Sequence, residues 1–155
     1  MSPPEVQQQM RTFMASDPSP MSKGALSTFA DWQKYNLKRL AYRAIWEKFF
    51  ESFDVFLSPV MFTAAFAHDR SPVFVRKVRT PEGNEHPFLD LLKYIVPASV
   101  TGCPATAAPV GLTSSGLPVG LQIMGPYLED ATPIRFAALL AREIGGFQPP
   151  PGYAL

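Results

Sequence analysis

One cysteine, two histidines and almost no net charge leave this sequence of 155 residues poorly supplied for several kinds of chemistry. Cys103 has no second cysteine to bond, and with His68 and His86 it forms no close cluster, so neither a disulfide framework nor a zinc site is expected. Fourteen basic residues face thirteen acidic ones, which leaves no one-signed field to gather nucleic acid or an anionic membrane. Apolar stretches are interrupted well before the roughly 18 residues that a membrane span needs. The start, Met1 included, carries no charged segment followed by an apolar signal core, so a cytoplasmic, reducing setting is expected. No glycine-rich phosphate loop runs from a strand into a helix, and no GxSxG nucleophile turn is present. No cofactor and no metal are therefore expected.

What the chain has in excess is proline, 17 residues, about twice the usual share of roughly 5%. The prolines gather at the ends and at element boundaries. Residues 1–25, with three glutamines in a row and then Asp17-Pro18-Ser19-Pro20, suit a packed core poorly and are expected to be loosely held or to pack on something else. Residues 148–155 form a proline-rich tail expected to be extended. Between them, residues 26–147 have a hydrophobic content sufficient for one body.

Leu37, Leu40, Ala41, Ala44 and Ile45 recur at helical spacing, opposite a polar face of Lys34, Lys38, Arg43, Glu47 and Glu51. One amphipathic helix is expected from Phe29 to Ser52, with Thr28 and Asp31 forming a capping box at its start. Its aromatics, Trp32, Trp46, Phe49, Phe50 and Phe53, read as core. Asp54 to Pro59 follows without alternation, as a strand buried on both faces would. A helix leading at once into such a strand is an α/β signature.

The stretch from Phe66 to Pro87 reads as a surface excursion with a turn at Pro81-Glu82-Gly83-Asn84. Phe88 to Val96 predicts a short helix ended by Pro97. Two β-rich runs, Ala105 to Val110 and Leu117 to Met124, read as a hairpin, with Gly120 leaving room for another backbone. The last helix is expected from Pro133 to Ile144, capped by Thr132 and stopped by Gly145-Gly146. Ser114-Ser115-Gly116 has the look of a nucleophile loop, but hairpin chemistry already accounts for it. Cys103 has no visible base and reads as structural. Asp69 and Asp90 read as solvated or capping carboxylates.

Thr101-Gly102-Cys103-Pro104-Ala105, then Pro109-Val110-Gly111, Gly116-Leu117-Pro118-Val119-Gly120-Leu121-Gln122 and Gly125-Pro126 stand in one order at matching offsets. Together they resemble the C-terminal region of amidase-signature hydrolases. The upstream helix and Asp54-Val55-Phe56-Leu57-Ser58-Pro59 are similar to that family's pre-strand helix and strand, so the resemblance covers about Phe29 to Phe147. Cys103 stands where many relatives have leucine.

The resemblance implies an α/β fold, part of a mixed sheet packed with helices, and amide-bond hydrolysis without a cofactor. The family's nucleophilic serine, its second serine on a cis peptide and its lysine lie before the matched region, so no catalytic residue is assigned here. This portion alone is expected to be inactive, completing the sheet and walling the acyl pocket. Phe88 to Val100 would face the substrate, with Leu92, Val96 and Ser99 as pocket-lining positions. Glutamine-using relatives are expected to carry a carboxylate at the position of Leu92, with Asp90 two places earlier, which favours a neutral or apolar small-molecule amide. The alternatives are a fragment of a glutamine-dependent tRNA amidotransferase A-type subunit, or a non-catalytic interaction module. An exposed sheet edge predicts self-association.

Overall fold

A computed structural model describes residues 3–17 and 19–153. The first two residues, Pro18 and the last two residues of the tail lie outside the described residues. Contacts gather the chain into two units, Met1–Ala41 and Tyr42–Leu155, with the boundary inside a helix.

The first unit opens with α1 (Pro4–Ser16) and α2 (Pro20–Ala25). Each begins with a proline, whose missing amide hydrogen would have no acceptor in a first helical turn. None of α1's residues is buried, so its helical form owes little to packing.

The third helix, α3 (Phe29–Phe50), starts at the expected capping box. The Thr28 amide and hydroxyl donate to Asp31 at 3.1 and 2.7 Å, and the Asp31 amide donates back to the Thr28 hydroxyl at 3.2 Å. Hydrogen bonds from the Thr28 hydroxyl, then from its amide, hold the Asp31 carboxyl below the usual carboxylate range. A depressed carboxylate stabilises in full above its ordinary pKa, and that contribution is lost as pH falls through the lowered value. Acidification below about pH 4 should therefore fray the first turn of α3. Amide exchange at Trp32, whose NH bonds Thr28 O, would report this, and Thr28→Ala, which keeps only the backbone donor to Asp31, should weaken the pH dependence.

The face that α3 buries differs from the one its periodicity suggested. Leu37 and Ile45 are 68% and 64% exposed, whereas Arg43, Trp46, Phe49 and Phe50 are partly buried. Trp46 and Phe50 pack, with Phe56 and Tyr127, against the buried cluster of Ala98, Cys103 and Met124. Aromatic side chains bring the larger apolar area, so their position rather than the leucine stripe sets the rotation of the helix in this unit. Arg43 belongs to this buried face. Its guanidinium lies 3.6 Å from the centre of the Tyr127 ring, and its Nε donates to Thr101 O at 2.7 Å.

Strand β1 (Phe56–Pro59) pairs antiparallel with β5 (Pro118–Met124), which pairs antiparallel with β4 (Ala105–Leu112). The sheet order is thus β1-β5-β4, and among the described residues the outer edges of β1 and β4 have no strand partner. The expectation that β1 is buried on both faces fails. Ser58 is buried but Leu57 is 46% exposed, because nothing described covers that side. The β4–β5 hairpin is as expected: Thr113 and Leu117 close its loop, Gly116 takes a φ of 81°, and the register shifts between Pro109 and Gly111. A Cβ on Gly120 would lie 3.2 Å from Ala108 O, so the close backbone approach is real.

The surface excursion contains an unforeseen second hairpin, β2 (Lys77–Arg79) with β3 (Glu85–Pro87), around the predicted turn. Beyond it lie a 3-10 helix (Phe88–Tyr94) and α4 (Val96–Thr101). Pro97 does not end a helix as expected; it sits in the first turn of α4. The same correction applies to α5 (Ala131–Ile144), which begins two residues before Pro133 and has Asp130, not Thr132, ahead of it. In both cases proline is tolerated because first-turn amides lack helical acceptors. Helix α5 lies against β4 and β5 and stops at Gly145. In the tail, Tyr153 NH bonds Pro150 O, so the described part ends in a turn.

Candidate functional site

Where β1 ends at Pro59, the chain enters a loop that forms one wall of an open cleft of about 660 Å³. Met61, Phe62 and Phe66 come from this loop, Phe88 and Leu91 from the 3-10 helix, and Pro118 to Gly120 from the start of β5. Phe66 meets Phe88 edge-on at 6.2 Å, and Phe62 lies 5.0 Å from the His86 ring. Among the described residues, Thr63 and Thr113 supply the only side-chain hydroxyls, and no charged side chain lines the cleft. A smaller recess of about 290 Å³ shares Phe66 and Phe88 and adds His68, Asp69, Arg70 and Arg76.

The three positions read as pocket-lining from the resemblance do not face this cleft. Leu92, Val96 and Ser99 are exposed, spaced along the 3-10 helix and α4, and Leu91 is the residue turned inward, 5% exposed. What holds that segment in place is Gln122. This side chain is buried in β5, and its Nε2 donates to Tyr94 O at 3.0 Å and to Ser58 Oγ at 3.4 Å. A glutamine between Leu121 and Ile123 in an apolar strand was the one sequence signal for it, since a buried amide needs partners. Replacing it with leucine removes the donor to a partly buried carbonyl, a loss of about 1–3 kcal/mol. Gln122→Leu should speed amide exchange at Ile95 and Ser99, which close the turns following Tyr94, while the β4–β5 amides keep their protection.

Hydroxyl groups do meet carboxylates elsewhere, but as turns and caps. Ser19 and Ser22 donate to Asp17, and Ser71 donates to Asp69. In each case those serine hydrogen bonds, first among the causes, hold the carboxyl below its usual range, which makes it a weak base. Asp90 pairs with Lys93 at 3.0 Å. Cys103 is buried in the aromatic cluster, and Ser114-Ser115 forms the hairpin turn. Among the described residues no group of three or more His, Cys, Asp or Glu side chains converges as a metal site would, and no helix is long and apolar enough to cross a membrane.

Residues 2–133 match the family model described as Amidase. The chain belongs to the amidase family. Among its relatives, the chain is 33% identical over 126 residues to the A-type subunit of the glutamyl-tRNA(Gln) amidotransferase of Zymomonas mobilis, covering 77% of this chain and 23% of that protein. A fatty acid amide hydrolase of Medicago truncatula is 42% identical over 55 residues, 36% of this chain and 9% of that one. A solved amidase structure superposes with a TM-score of 0.62 at 24% identity, over 91% of this chain and 32% of that one. A 6-aminohexanoate cyclic dimer hydrolase solved with its substrate gives 0.59 at 23%, over 77% and 26%. At these identities the structures speak for the fold, and they place the chain in a mixed helix-and-sheet architecture. The chain spans about a quarter or less of the length of the curated amidotransferase subunits that it matches.

Proposed function

We propose that this chain is the sheet-and-wall portion of a hydrolase that cleaves a carbon–nitrogen amide bond, the nucleophile being supplied by polypeptide outside it. The reading rests on a family match over a chain whose cleft holds no nucleophile paired with a base. Exposed apolar side chains support it as well: Leu37, Ile45, Ile134 and Leu139 are all more than half exposed. In this reading residues 26–147 are the amidase-like body, with 1–25 and 148–155 as flanks. Leu92, Val96 and Ser99, which lie outside the cleft, would meet a further part of the substrate once that surface is covered. The single buried cysteine suits a reducing, cytoplasmic compartment.

The purified chain should release no ammonia from phenylacetamide or glutamine. Co-expression with the preceding three-quarters of a related amidase should restore release. Ammonia formed by the chain alone, with the same yield after a further chromatographic step, would overturn the proposal. The unpaired edges of β1 and β4 should make the lone chain self-associate; a concentration-independent monomer in sedimentation would count against that part. Similarity to amidotransferase subunits makes glutamine the competing substrate. The leucine at position 92 disfavours it, and comparing glutamine with phenylacetamide in the restored enzyme separates the two.

A further inference from the structure

The cleft at the end of β1 has a volume within the roughly 300–1,000 Å³ typical of small-molecule sites. Its walls come mainly from the loop after Pro59, the 3-10 helix and the start of β5, with Pro81 and Thr113 added from the two hairpin loops. These meet because Gln122 joins β5 to Tyr94 O and to Ser58 of β1. From these observations we infer that the cleft binds the acyl group of an amide, and that this group is uncharged and apolar, an aryl or extended alkyl chain. The inference rests on the amide-hydrolase reading above and adds to it the site and the substrate class.

The argument is one of desolvation. Phe62, Phe66, Phe88, Leu91 and Val119 offer ring and methyl surface, with Thr63 and Thr113 the sole hydroxyls among the described residues. The Thr113 hydroxyl is already engaged, with Ser115 and with the Leu117 amide. An amino-acid amide such as glutamine would bring an ammonium and a carboxylate into a space that offers a counter-charge to neither, and ions taken from water without partners are disfavoured strongly. An apolar acyl group loses no such partners and gains contact with the aromatic walls. Size argues in the same direction, since a two-carbon acyl group would leave most of the space to water. The recess beyond Phe66 and Phe88 carries Arg70 and Arg76 against a single carboxylate, Asp69. A carboxylate-bearing ligand is therefore the alternative that a test must separate.

Binding to the whole 155-residue chain can be read without turnover, by fluorine NMR with 4-fluorophenylacetamide and 4-fluorophenylacetate, and by saturation-transfer NMR with glutamine. The fluorinated amide should bind, the carboxylate at least tenfold more weakly, and glutamine not at all. Val119→Lys and Met61→Glu each place a charge at a partly exposed cleft position, and each should weaken amide binding at least fivefold with an unchanged circular dichroism spectrum. If one variant misfolds, the other still decides. Carboxylate or glutamine binding as tight as the amide's, amide binding unaffected by the introduced charge in a folded variant, or no amide binding at all would overturn the inference. Ammonia release in the restored enzyme tests the underlying reading separately: turnover without cleft binding rejects the site assignment alone, and cleft binding without turnover rejects the hydrolase reading.

Discussion

Replacing Met124 with alanine should lower the stability of the Tyr42–Leu155 unit by about 3 kcal/mol, the middle of the range for truncating a buried methionine. Met124 is fully buried, and Ala98, Cys103, Trp46, Phe50, Phe56 and Tyr127 gather about it. It also terminates β5 opposite both Phe56 and Ala105, so three strands meet at its backbone while the aromatics meet at its side chain. Few other side chains share the load, because the buried apolar residues of the whole chain are Val78, Leu91, Ala98, Cys103, Ala108, Ile123 and Met124 among those described. Domain stabilities are commonly about 5–15 kcal/mol, and a unit with so much apolar surface in water should sit at the low end. With a urea slope near 2 kcal/mol per molar, the midpoint should fall by about 1.5 M. A shift below a third of that would mean the aromatic cluster closes over the space and that Met124 is not its centre.

The second large effect is expected at Gly125, where no unusual backbone angle is involved. A Cβ built there would lie 2.6 Å from Cδ and 3.2 Å from Cγ of Pro133. The obstacle is a proline ring, buried and fixed to the backbone of the first turn of α5, so no rotamer change can make room. The helix would have to move away from β4 and β5, and Gly125→Ala should cost about 2 kcal/mol, within the range for overpacking. The strain should appear as faster exchange at the Gly125 amide, which bonds Pro104 O at 2.9 Å. Gly24→Ala is the matched control, since a Cβ there meets nothing within 4 Å and alanine favours a helix. Equal stability of the Gly125 variant and the parent would show that α5 docks with more slack than these distances allow.

Both effects bear on function through the same geometry. Met124 ends β5 and Gly125 follows it; the start of that strand forms part of the cleft and Gln122 lies within it. A loosened β5 would move the Tyr94 anchor and the cleft wall together. The fold and the candidate acyl site therefore share one strand, and stability and binding should fall in parallel across these variants.

Local chemistry made several elements legible in the sequence. The Thr28 and Asp31 box marks the start of α3 because the partners are three residues apart and need nothing else. The glycine-containing loop between two β-rich runs sets the β4–β5 hairpin, and Gly145 stops α5. The motif from Thr101 to Pro126 carried the family likeness. Tertiary structure alone decided which face of α3 is buried, since two apolar faces compete on that helix and only the position of the sheet selects the one with Trp46 and Phe50. It also decided that Leu91 turns into the cleft, on a short 3-10 helix tied to β5 by the hydrogen bond from Gln122 to Tyr94 O, 28 residues away. The cleft itself joins Pro59, Leu91 and Val119, whose meeting depends on strand order, and no local pattern encodes that.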